Sequence, residues 1–170
     1  LVMGRIARLL KHRSFDEADV RRVLPDAALK RLEERVHSSE KKHSGEIRLC
    51  IEAGLPSSYI WKRLSARDRA LAMFGKLRAW DTEYNNGVLI YLLFAEHKIE
   101  IVADRGLTGR VSEGDWRRIV ERMREPLHAG KFEDGLNIAI DEVEKLLEQH
   151  FAVDSAAINP NELPNKPWIR

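Results

Sequence analysis

With Cys50 as its only cysteine, the chain can form neither an internal disulfide nor a multi-cysteine zinc site, and cysteine usage names no redox compartment. Long apolar runs are missing too. None approaches the roughly 20 residues of a spanning helix, and the first residues lack the apolar stretch and small-residue cleavage site of a secretory signal, so a soluble chain, cytoplasmic as written, is expected. Charge of one sign is absent: 29 Lys and Arg stand against 27 Asp and Glu, a formal net charge of +2. Outside the N-terminus the signs are interleaved, which denies nucleic acid a basic face. No Gly-rich loop ending in Lys-Ser/Thr occurs, Cys50 opens no Arg-closed phosphate loop, and no paired DxD begins a strand, so the strong phosphate-chemistry signatures are lacking.

What is present describes an ordinary globular protein. At 170 residues, 44% hydrophobic and 33% charged, the chain suits one domain with one core. "RIARLLKHRSF" is a short basic amphipathic pattern, read as a helix packed on the domain or, over residues 5–14, as a contact for an anionic membrane. Asp16 and Glu17 suit a first helical turn, Pro25 restarts a helix, and Leu29, Leu32 and Val36 form its apolar stripe. "GEIRLCIEA" alternates as a strand with one wetter face and is expected at a sheet edge. A loop, "GLPSSYIWKRL", leads to a helix opened by Ser65, and "GVLIYLLF" at 87–94 is apolar on both faces, as a central strand should be. A turn at Glu96-His97 sends "IEIVAD" back antiparallel. Trp116, Ile119, Val120 and Met123 mark a helix running to Pro126, and Leu136, Ile140, Val143 and Leu147 mark the last one.

This order predicts an α/β/α sandwich, a small mixed sheet with helices on both faces. Three segments result: a helical extension over 1–22, the main domain over 23–152, and a tail over 153–170, extended or disordered unless Trp168 docks. His37 and His43, beside a charged helix end, are expected to be solvated. A monomer is expected.

Counting the hairpin from its turn sets Leu89 opposite Asp104 and Asn86 opposite Leu107, so the polar clusters at the two ends of "WDTEYNNGVLIYLLFAEHKIEIVADRGL" meet at one sheet end. Asp81, Glu83, Asn85 and Asn86 arrive from one side and Asp104 from the other. Carboxylate and amide oxygens on glycine-bearing loops are the ligands of hard cations. The same "NNG" is also the sequence of a turn that needs positive φ. Both readings stand at this point. The rule that open α/β sheets bind ligands at the carboxyl ends of parallel strands points to the opposite end, near Glu52, Ala53 and Glu96.

"ARDRALAMFGKLRAWDTEYNNGVLIYLLFAEHKIEIVADRGL" followed by "MREPLHAGKFEDGLNIAIDEVEKLL" resembles the TPM-domain family, also called TPM phosphatase, from about Leu24 to His150. The resemblance implies a Rossmann-like α/β/α sandwich that binds no nucleotide, and in some members acid phosphatase activity or binding of calcium or another divalent ion. By position, the family's acidic cavity falls on Asp81, Asn86 and Asp104, with Asn85 where many relatives carry a charged residue. The expected function is a divalent-ion-binding interaction module working with a membrane or envelope protein. The alternative is a metal-dependent acid phosphatase, with Asp104 as its candidate catalytic residue, Asp81 beside it on one ion, and Arg105 or Arg110 near the phosphate.

Overall fold

The computed structural model describes residues 2–153 and 161–170. Eight helices and four strands are found among them: α1 Val2–Arg13, α2 Glu17–Val23, α3 Asp26–Ser39, β1 Glu46–Glu52, α4 Ser57–Trp61, α5 Ala66–Lys76, β2 Gly87–Leu93, β3 Lys98–Ala103, α6 Arg105–Thr108, α7 Glu113–His128, α8 Phe132–Phe151 and β4 Trp168–Ile169. Local chemistry sets several helix starts. At α2, Asp16 and Asp19 exchange side-chain to backbone hydrogen bonds of 2.9 and 3.0 Å, and Ser65 and Asp68 do the same at α5, satisfying amides the first turn would leave open. α7 runs two residues beyond Pro126, because a proline in the last turn removes one amide bond without ending a helix held by packing on α8.

The sheet has the order β3-β2-β1-β4, with β1 parallel to both β2 and β4 and β3 antiparallel to β2. Alternate residues of β2 point to opposite faces. Val88, Ile90 and Leu92 join Ile47, Leu49 and Ile51 in a core closed by α2, α3, α7 and α8. Leu89, Tyr91 and Leu93 enter a second core under α4 and α5, with Leu9 of α1. Full burial of one such side chain contributes about 1.5–3 kcal/mol, so a strand buried on both faces anchors both layers. The α/β/α sandwich and the central place of β2 are as the sequence implied.

Several details differ from the sequence reading. β1 is not an edge: β4 pairs on its outer side, Cys50 beside Trp168 and Ile51 beside Ile169, so Trp168 docks and part of the tail is sheet. Residues 154–160 of that tail lie outside the described residues. The wetter face of β1 is buried as well, because α5 and residues 163–168 cover it and supply partners for its polar groups. Residues 57–61, read as loop, form the short α4. The hairpin register is two residues shorter than counted, Leu89 facing Val102 and Val88 facing Ala103. Phe94–Glu96 form a 3-10 turn and His97 takes a left-handed conformation, φ 50°, so the turn consumes more chain. A slip of two leaves every side chain on its face.

Candidate functional site

The loop from α5 and the start of α6 are stitched together where β1 and β2 begin and β3 ends. Asp104 N donates to Gly87 O at 2.9 Å, and Gly106 N donates to Asn85 O at 2.8 Å. Both glycines are needed for space. A Cβ on Gly87 would lie 1.8 Å from Ala79 O, and one on Gly106 would lie 2.4 Å from Asn85 O and 2.7 Å from Tyr84 O. The positive φ of the turn falls on Asn85, at 52°, not on Gly87. Turn chemistry is therefore the work of Asn85, which leaves Asn86 to be accounted for separately.

Asn86 is fully buried. Its backbone N–H donates to Thr82 Oγ1 at 3.1 Å and its Nδ2 to Ser44 Oγ at 3.1 Å, while Oδ1 is enclosed and accepts from nothing. Asp104 caps α6, Oδ1 accepting from Arg105 N at 2.7 Å, and its Oδ2 is likewise enclosed without a donor. An unmet buried polar atom costs about 1–3 kcal/mol, so two at one junction are unfavourable as they stand. The structure thus brings the backbones of Asn85, Asn86 and Asp104 to one junction. Asp81 is turned to solvent, where its carboxylate takes Arg78 Nη2 at 2.8 Å.

The same sheet end holds a carboxyl pair that the sequence did not disclose. Glu46, the register partner of Gly87, is fully buried, and Glu40 from the end of α3 is nearly so. Glu40 Oε1 accepts from Ile47 N at 3.0 Å, and Glu46 Oε1 accepts from Glu162 N at 2.9 Å. Neither Oε2 receives an N–H. Burial first, and the neighbouring Glu46 carboxylate second, push Glu40 up to about 9, so Glu40 keeps its proton at neutral pH and uses it to donate a hydrogen bond to Glu46. Burial raises Glu46 too. The Glu162 carboxylate in turn accepts from Glu83 N at 3.2 Å, tying the C-terminal segment to the site loop. The hint in the sequence was Glu46 at the head of a strand two residues before an arginine, which read as solvated polarity. His43, expected in solvent, is fully buried 3.0 Å from Ser39 Oγ, and burial lowers it to about 4.

At the opposite sheet end the polar groups are satisfied. Glu52 receives a two-pronged Arg69 at 2.7 and 3.0 Å and the Tyr91 hydroxyl at 3.0 Å. Glu96 accepts from Arg8 and His12, each at 2.8 Å; the hydrogen bond with His12, followed by those with Arg8, outweighs burial and holds its carboxyl down to about 2. Leu55 N donates to His12 Nδ1, which leaves Nε2 to carry the proton toward Glu96. α1 thereby closes this end, and of the two ends only that of Asn86 and Asp104 has unmet oxygens among the described residues.

For a divalent ion the amide oxygen of Asn86 and the carboxylate oxygen of Asp104 are suitable donors, being hard, enclosed and unpaired. Three or more His, Cys, Asp or Glu side chains poised around one ion are not found among the described residues. An ion here would thus rely on a mixed set completed by backbone carbonyls and water. Cys50 cannot act as a nucleophile, because it is fully buried and burial raises its thiol far above neutral pH. Among the described residues no helix is long and apolar enough to cross a membrane.

Comparison with known proteins agrees with this fold. The model of the TPM domain matches residues 18–146. The chain is similar to the NMR structure of the BA42 protein from the psychrophilic bacterium Bizionia argentinensis, with 26% identity, a TM-score of 0.73, and coverage of 85% of this chain and 93% of that one. It also shares the fold of the N-terminal domain of a protein from P. gingivalis, at 19% identity and a TM-score of 0.61, covering 78% of this chain and 83% of that domain. No curated protein matches. With the family's model spanning most of the chain over the helices and strands just described, the protein belongs to the TPM-domain family.

Proposed function

We propose that this TPM domain binds a divalent cation, calcium in the first instance, at the Asn86/Asp104 junction and acts as an interaction module for a membrane or envelope protein. The observation that carries the ion is the pair of enclosed oxygens with no donor, Asn86 Oδ1 and Asp104 Oδ2. A cation supplies what both lack, and calcium accepts irregular oxygen sets completed by carbonyls and water. With one carboxylate in the set, the dissociation constant is expected at the weak end for calcium, on the order of 10⁻⁴–10⁻³ M. Support for the membrane side comes from α1, whose Ile6 and Leu10 are 43% and 64% exposed beside Lys11 and Arg13, while Arg8 and His12 hold its inner face.

Calcium titrated into the ¹⁵N-labelled chain should shift the amides of Asn85, Asn86, Asp104 and Gly106, and Asp104→Asn should abolish the saturable shifts. Shifts absent at those residues, or unchanged in the variant, would remove the ion. Vesicles containing phosphatidylserine should bind the chain at low salt and lose it when Ile6 and Leu10 are replaced by serine.

A metal-dependent acid phosphatase is the second reading, and the observation favouring it is Arg105, exposed directly after Asp104. Arg110 is not available in the same way, since it donates to His150 O and lies over the Phe151 ring. Hydrolysis of a phosphomonoester that falls by orders of magnitude in Asp104→Asn would establish this reading. Equal turnover in the variant would dismiss it.

A further inference from the structure

Between α3 and β4 runs a groove of about 910 Å³. Arg48 lines it, although the residue is only 8% exposed. Its Nη1 donates to Pro164 O at 3.1 Å and to Lys166 O at 2.7 Å. Its Nε is enclosed without an acceptor, and among the described residues no carboxylate pairs with it. A buried guanidinium without a counter-charge is unfavourable in isolation. The other cations of the walls differ in this respect. Arg21 pairs with Glu17 and Asp26, and Lys30 lies 3.8 Å from Glu33, but Lys166 is exposed and has no acidic partner among the described residues. Two cations of the groove are therefore unmatched.

One wall of the groove is the edge of the sheet. Arg170 N donates to Ile51 O and Arg170 O accepts from Ala53 N, so these groups point toward β1. Backbone polarity alternates along a strand, and the N–H and C=O of Ile169 consequently point away from β1, where no further strand lies among the described residues. An open strand edge, an apolar lining from Leu29 and Trp168, and surplus positive charge are the features with which a sheet captures an extended chain.

We infer that this groove takes an extended acidic peptide segment of a partner protein, which adds to β4 as a further strand and sets a carboxylate against Arg48 and Lys166. The main chain of the peptide meets Ile169, and its acidic side chains neutralise the two unmatched cations. The inference goes beyond the ion-binding reading and uses none of its residues, so either can fail alone.

The test uses a ten-residue peptide, capped at both ends, in which Glu alternates with Val and Thr, and a control in which Lys replaces each Glu. Both are titrated into the ¹⁵N-labelled full chain without divalent ions at roughly 50 mM salt, where screening is modest. The Glu peptide should shift the amides of Trp168 and Ile169 and the Arg48 Nε–H and slow hydrogen exchange at Ile169. The Lys peptide should do neither. Lys166→Glu should weaken binding about tenfold. Because Arg48 also holds the 164–166 segment, the second variant is Ile169→Pro, which deletes the outward N–H and leaves the Arg170 bonds to β1 in place. It should weaken binding while the Arg170 amide stays protected. Shifts confined to other surfaces, equal binding of the Lys peptide, undiminished affinity in either variant, or no shift up to about 1 mM peptide would each overturn the inference.

Discussion

Replacing Glu40 by glutamine should flatten a fall in stability that this fold shows as pH rises through neutrality. Glu40 ionises near 4.5 in an unfolded chain and at about 9 in the folded one, because burial and the Glu46 carboxylate both oppose its charge. Between those values the folded state binds one more proton than the unfolded state. The stabilisation is thus complete below about 4.5 and is lost as pH rises toward 9, at about 1.4 kcal/mol per pH unit. From about pH 6 to 8, wholly inside that window, the loss is about 3 kcal/mol, or roughly 6–12 °C of melting temperature for a domain of this size. His43, about 4 in the folded chain and near 6.5 in the unfolded one, adds an opposing slope at the lower end of this range, but both proteins carry it and it cancels in their comparison. In Glu40→Gln the amide carbonyl can still accept from Ile47 N and the amide N–H can still reach Glu46, but nothing titrates at position 40. Urea unfolding of both proteins at closely spaced pH values is the assay. The variant should show a clearly shallower slope, with the remainder due to Glu46, and parallel slopes would refute the shared-proton account of this pair.

Gly106→Ala should destabilise the fold by about 2 kcal/mol or more, because its Cβ meets two backbone oxygens that cannot rotate away, and it should uncouple the loop from α6; thermal melting together with hydrogen exchange at residue 106 reads both. Arg69→Met should cost about 3–5 kcal/mol by leaving the Glu52 carboxylate buried with Tyr91 and a distant Arg170 for partners, and the double variant with Glu52→Gln should recover much of that in a denaturant series. Glu96→Gln should remove stability present above the unfolded value near 4.5 and lost as pH falls toward 2, so the wild type should lose stability more steeply than the variant across that range, and superimposable acid limbs would contradict the role of the His12 and Arg8 contacts.

Much of the architecture was legible along the chain because it is written as period. The stripe of Leu29, Leu32 and Val36, the recurrence through α8, and the two-sided apolarity of β2 each follow from how a helix or strand presents its side chains, and they imply layers on both faces of a sheet. The meeting of the two polar clusters was legible too, since antiparallel strands joined by a short turn must bring their far ends together, and a register error of two does not alter that. Of the proposed ligands, Asn85, Asn86 and Asp104 come to the junction and Asp81 does not, for an exposed Asp three residues from Arg78 is satisfied locally.

Tertiary structure alone decided the rest. Nothing periodic marks Trp168-Ile169 as a strand, and its pairing partner lies more than a hundred residues earlier, so only the assembled sheet moves β1 from edge to interior. Glu46, Arg48 and Glu52 follow the alternation of a half-wet strand, yet α5 and the C-terminal segment cover them, and burial then sets their chemistry: a shared proton for Glu46, a two-pronged arginine for Glu52, and an unmatched charge for Arg48. Sequence periodicity reports which face of an element is apolar. It cannot report what a distant segment will lay over the other face, and in this protein that covering determines both the candidate ion junction and the groove beside β4.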